Sequence, residues 1–157
     1  TPGKPLGIDS DGFSNIVMAV DQLGVELYSI DSLGADPMLV GRVDTQGNAE
    51  KVSLVSSGVF VSCDNAGASY IPKESFNNSK ELFRFATDYT VDHIAVNNDI
   101  AALSIGSKGI ALYDISNPKS PVEKGVFPLG YSYMSLFWND DLLVCTREGL
   151  QRISINK

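Results

Sequence analysis

Gly109-Ile110-Ala111-Leu112-Tyr113-Asp114-Ile115-Ser116-Asn117-Pro118-Lys119-Ser120-Pro121-Val122-Glu123-Lys124-Gly125 holds two short strand-like runs and the turn between them. A glycine opens a short apolar run, the run closes on Asp-Ile-Ser, and Asn117 to Ser120 carry turn chemistry before a second run begins at Pro121. Glycine supplies a positive φ, asparagine caps its own backbone, and proline ends a ladder. Upstream lie two more runs of strand character, Val91–Val96 and Ile100–Ile105. They are set off by Asn97-Asn98-Asp99 and Ser107-Lys108. Residues 91–127 therefore read as four consecutive short strands joined by tight turns.

The pattern recurs along the chain. Gly24, Gly67, Gly109 and Gly149 stand in matching contexts at spacings of 43, 42 and 40 residues. Gly41 and Gly125 match each other at 84 residues, which is two periods. Glu81–Ala86 has a helical look, yet it falls where the repeat requires a fourth strand and is assigned as one. Four strands every 40 to 45 residues is the signature of a β-propeller blade, whose two faces are buried only by stacking on neighbours. The fold expected is all-β: a propeller of four-stranded antiparallel blades, four of them in this chain, at about 4–45, 46–90, 91–130 and 131–157, the last incomplete. Thr1-Pro2-Gly3 reads as the end of a preceding outer strand, and Lys157 falls where another outer strand is due. The chain is expected to be part of a larger propeller. A closed four-bladed ring and two chains joined in one eight-bladed ring are the alternatives.

The third period, residues 109–125, resembles the repeat of the LVIVD-type β-propellers found in bacterial and archaeal surface or secreted proteins. Tyr28-Ser29-Ile30-Asp31 followed by Asp36-Pro37-Met38-Leu39-Val40-Gly41 follows the same pattern more loosely. The second period departs from it, since Glu74 to Ser79 replace the compact turn. The resemblance implies a propeller in an extracellular, cell-surface or periplasmic setting. It implies no shared catalytic residues.

Composition agrees with a folding globular chain: 157 residues, 43% hydrophobic, 20% charged, net charge −7. The acidic balance argues against nucleic acid as a partner. No apolar run approaches the roughly 18 residues of a membrane-spanning helix, and no signal peptide is visible. Cys63 and Cys145 each follow an apolar run without CxxC spacing, so both are expected to be buried free thiols rather than metal ligands. His93, the sole histidine, cannot build a multi-histidine metal site. Asp9 and Asp11 resemble part of a calcium loop, but the third ligand before Gly12 and a distant Glu are missing, and a hairpin turn explains them better. Asn77-Asn78-Ser79 has the N-glycosylation pattern and sits in the longest polar loop.

In a propeller, the turn between strands two and three shares a face with the linker from strand four into the next blade. That face is the default ligand surface. Here it is expected to gather Lys51, Asp64, Asp92, His93, Tyr131, Tyr133, Arg147 and Glu148, with Ser135 in the place equivalent to Lys51 and His93. Adjacent strand residues point to opposite faces, so Asp92 and His93 make a poor acid/base pair. Phe137 and Trp138, beside the same tyrosines and Met134, read as an edge that packs on a neighbour, with a binding patch as the alternative. The function expected is a non-enzymatic interaction scaffold with no cofactor, binding a protein or glycan and joined to further blades or a second copy. The alternatives are a lactonase- or hydrolase-like propeller enzyme with part of its site in missing blades, and a rigid spacer in a surface assembly.

Overall fold

The computed structural model describes residues 3–155; Thr1, Pro2, Asn156 and Lys157, including most of the expected outer-strand end at Thr1-Pro2-Gly3, lie outside the described residues. Among the described residues fifteen strands form four separate antiparallel sheets. Blade 1 is β1 (Gly7–Ser10), β2 (Asn15–Ala19), β3 (Val25–Ser29) and β4 (Met38–Val43). Blade 2 is β5 (Lys51–Val55), β6 (Gly58–Ser62), β7 (Ala68–Pro72) and β8 (Phe83–Phe85), with a short 3-10 turn at Lys73–Phe76. Blade 3 is β9 (His93–Asn97), β10 (Ile100–Ser104), β11 (Ile110–Asp114) and β12 (Val122–Phe127). Blade 4 has three strands among the described residues: β13 (Ser132–Trp138), β14 (Asp141–Thr146) and β15 (Gly149–Ser154). In every sheet the strands lie in sequence order. Phe83–Phe85 is indeed a strand, paired with β7.

Three apolar layers hold the blades together, one at each junction. Val17, Ala19, Val25, Leu27 and Val43 of blade 1 meet Val52, Val59, Val61 and Ile71 of blade 2. Phe60, Tyr70 and Phe85 of blade 2 meet Ile94, Leu103, Ile105 and Tyr113 of blade 3. Ala102, Ile110 and Leu112 of blade 3 meet Leu142, Val144 and Ile153 of blade 4. A strand buried on both faces needs apolar side chains at consecutive positions. That is why β6 and β7 are buried at every position and read as continuous runs rather than alternating ones.

The repeating glycines have a physical cause. Gly24, Gly67 and Gly109 have φ of 80°, 84° and 93° at the turn between strands two and three. A Cβ on them would lie 2.2 Å from the Val43 carbonyl, 2.6 Å from that of Ala86 and 2.1 Å from that of Phe127. Each glycine lets the turn close against the end of its blade's outer strand. Gly149 also has positive φ, 116°, but nothing lies within 4 Å. Its turn is built differently. The first three blades close a three-residue loop, with the amides of Val20, Cys63 and Ile105 donating to the carbonyls of Gly24, Gly67 and Gly109. Blade 4 closes a two-residue loop, Thr146 pairing with Gly149.

That missing residue corrects two sequence expectations. Thr146, not Cys145, takes the place of Cys63, and a one-residue slip moves a strand's side chains to the opposite face. Cys145 is therefore exposed, whereas Cys63 is buried as expected. Burial pushes the Cys63 thiol up to about 11. A register shift between Ser132 and Met134 does the same on β13. Lys51 pairs with Ser62 and His93 with Ser104, and the residue paired with the equivalent Cys145 is Met134. Ser135 instead occupies the place of Val52 and Ile94.

Candidate functional site at the turn face

Backbone clasps build the face that carries the candidate residues. Asp21 bridges to Ala49, Asp64 to Val91 and Gly106 to Ser132, each joining a blade's turn to the first strand of the next blade. The Val91 amide donates to the Asp64 carbonyl at 2.8 Å and the Ser132 amide to that of Gly106 at 3.0 Å. Asp21 and Asp64 hold φ of 46° and 51°, a left-handed conformation that aspartate tolerates. Asp64, a candidate ligand group by its place on the turn face, also clasps two blades with its backbone.

The candidates fall into two groups. At the junction of blades 3 and 4, Tyr131 and Tyr133 pack with ring centroids 5.0 Å apart, and the Arg147 guanidinium lies 5.4 Å from the Tyr131 ring centre. Tyr131 also lines a pocket with Asp88, Thr90, Asp92, Ser107 and Lys108. Lys108 lies 4.9 Å from the ring centre of Tyr89. Asp88, Thr90 and Ser107 are additions that sequence reasoning missed, because polar linker residues carry no pattern of their own. Burial, with the Asp64 carboxylate nearby, raises the Asp92 carboxyl above its ordinary range. Glu148 shares the hairpin loop with Arg147, and its amide donates to Thr146 Oγ1 at 3.2 Å.

The second group lies nearer the stacked first strands. The Lys51 ammonium donates to the Leu6 carbonyl. Burial and the Lys51 charge lower His93 to about 4, so its ring is neutral at physiological pH. His93 Nδ1 is buried without a hydrogen-bond partner, as are Ser104 Oγ and Ser135 Oγ. Ser104 is His93's cross-strand neighbour. A serine closing the apolar run Ile100–Ser104 is the signal by which it was findable.

Asp9 and Asp11, the residues of the partial calcium-loop pattern, take part in turn and junction contacts. Asp9 accepts from the amides of Ser10 at 2.8 Å and of Leu54, across the blade junction, at 2.7 Å. Asp11 Oδ1 accepts from the amides of Phe13, Ser14 and Asn15 at 2.9 to 3.0 Å, which with the Asn15 side chain holds its carboxyl well below the usual range. Among the described residues no three His, Cys, Asp or Glu side chains are grouped to hold a metal. No helix there is long and apolar enough to cross a membrane. Asn77 is exposed.

No protein-family model matches the chain, and no curated protein matches it in sequence. Its fold is similar to many solved structures. The computationally designed Ika4 protein aligns over 99% of this chain and 94% of its own, with TM-score 0.73 and 8% identity. A protein of the COPII outer coat vertex aligns over 93% of this chain and 44% of its own, at TM-score 0.75 and 13% identity. The RRP9 WD40 repeats align over 90% and 47%, at TM-score 0.71 and 15% identity. The chain thus spans under half the length of these last two. Four separate antiparallel sheets and this likeness to WD40-type repeats establish the β-propeller type of fold.

Proposed function

We propose that this chain is a non-enzymatic propeller module that holds a segment of another protein on its turn face. The observation that carries the reading is the Tyr133–Tyr131–Arg147 stack beside the Asp92 and Lys108 pocket. Flat aromatic surface flanked by charges of both signs suits a peptide, whose side chains insert while its polar backbone is satisfied at the rim. A coat vertex, from which one of the similar structures comes, is itself an assembly of proteins. The LVIVD-like repeat at residues 109–125 supports a surface, periplasmic or secreted setting.

The test is to pan the immobilised chain against a random peptide library and probe it on a glycan array, with Tyr133→Ala and Arg147→Ala in parallel. Peptide binding that falls at least about tenfold in both variants is the expected result. Glycan enrichment instead would replace the ligand class. Binding that neither variant alters would refute the Tyr133–Arg147 site, and no binding at all would leave the chain as a spacer. Fractionation of the cells that make it tests the setting, which a purely cytosolic signal refutes.

A further inference from the structure

The two ends of the blade array present halves of one repeating interface. Ile8 of β1 pairs with Met18, as Val52 pairs with Val61, Ile94 with Leu103 and Ser135 with Val144. Val52, Ile94 and Ser135 face a preceding blade and are 8%, 2% and 6% exposed, whereas Ile8 is 71% exposed. Met18 and Ile16 are only partly buried, although their counterparts in blades 2 to 4 are sealed. At the other end Met134, Leu136 and Trp138 share a face with Leu143 and Leu150. Trp138 is 63% and Leu150 69% exposed. Leu143 stands where Phe60 and Ala102 are covered by the next blade. A repeat that ends an array carries a polar outer face for solubility, and neither of these does.

We propose that each face covers the other in a second copy of this chain: blade 4 of one copy seats on blade 1 of its partner, twice, closing a two-fold ring of eight blades. The three internal junctions are the template: Ile8 and Met18 stand where Val52 and Val61, or Ile94 and Leu103, are packed, and Leu143 and Leu150 stand where Phe60 and Ala68, or Ala102 and Ile110, are covered. Charge does not oppose the contact. On blade 1 the Glu26 carboxylate is held by Arg42 and Tyr28, and on blade 4 Asp141 is held by Arg152, so neither face brings a lone charge to the junction. The stacked first strands pack as β1 on β5, β5 on β9 and β9 on β13, and no packing of that extent joins β13 back to β1. Among the described residues, then, these four blades do not close on themselves. Two sets of these four blades make eight, within the usual four to eight, and three sets would exceed it.

Light scattering on the purified chain at micromolar concentration tests this. The expected mass is twice that of the chain. Leu136→Arg and Ile8→Asp should each weaken association at least about 100-fold, with far-UV dichroism unchanged. If either fails to fold, Trp138→Ser serves for the same face as Leu136, and Met18→Ser for that of Ile8. Mixed, a blade 4 variant and a blade 1 variant should form a one-to-one dimer, because both substitutions fall at one junction and the other stays native. A monomeric wild type, an open-ended series of oligomers, or variants that associate unchanged would overturn the proposal.

Discussion

Replacing Gly109 by alanine tests the account of the repeat, because the structure separates two costs that the substitution combines. The first is conformational. Gly109 has φ of 93°, and an L-residue held in the left-handed region costs about 1 to 2 kcal/mol. The second is steric. The new Cβ would lie 2.1 Å from the Phe127 carbonyl oxygen and 2.8 Å from the Leu129 amide nitrogen, both backbone atoms. Relief requires the end of β12 to move away, loosening the turn in which the Gly109 carbonyl accepts from Ile105 at 2.9 Å and from the Ser132 hydroxyl at 2.5 Å. Overpacking of this kind adds about 1 to 3 kcal/mol. Gly149→Ala is the control, for it has positive φ and open space around it. The expected losses are about 2 to 5 kcal/mol for Gly109→Ala and about 1 to 2 kcal/mol for Gly149→Ala, the difference of about 1 to 3 kcal/mol being the steric part. Urea midpoints at constant m-value read both. Losses within about 0.5 kcal/mol of each other would refute the close-approach explanation of the glycine repeat.

Acid should destabilise the chain partly through His93. Its folded value near 4 lies below the ordinary 6.5, so the unfolded chain takes up a proton that the folded one refuses. The stability this neutral histidine contributes is complete above about pH 6.5 and is lost as pH falls toward 4, by about 2 to 3 kcal/mol. Urea midpoints at pH 7.5 and 4.5 should show that loss in the wild type and a smaller one in His93→Gln; equal losses would exclude His93 as the source. The thiols should also differ. In the Leu136→Arg variant, Ellman's reagent should modify Cys145 rapidly and leave Cys63 unmodified until unfolding. Rapid reaction of both would contradict the burial of Cys63.

The repeat, its strand content and the face on which the turns meet are legible in the amino-acid sequence. The physical reason is local. Gly24, Gly67 and Gly109 are needed wherever a turn closes against an outer-strand carbonyl, and Asn98 and Asn139, with φ of 51° and 53°, stand at the hairpins between strands one and two. Such demands act over a few residues and leave a mark at a fixed period. Register, and which side chains meet, follow instead from how the strands pair and the blades stack. A loop one residue shorter at Thr146–Gly149 and a bulge at Tyr133 reversed which face Cys145 and Ser135 present, without disturbing any local pattern. The stack of Tyr131, Tyr133 and Arg147 depends on both of those shifts. The partnerless Ile8 and Trp138 read in sequence like any other blade residue, because burial in a propeller is conferred by the neighbouring blade rather than by the strand that carries the side chain.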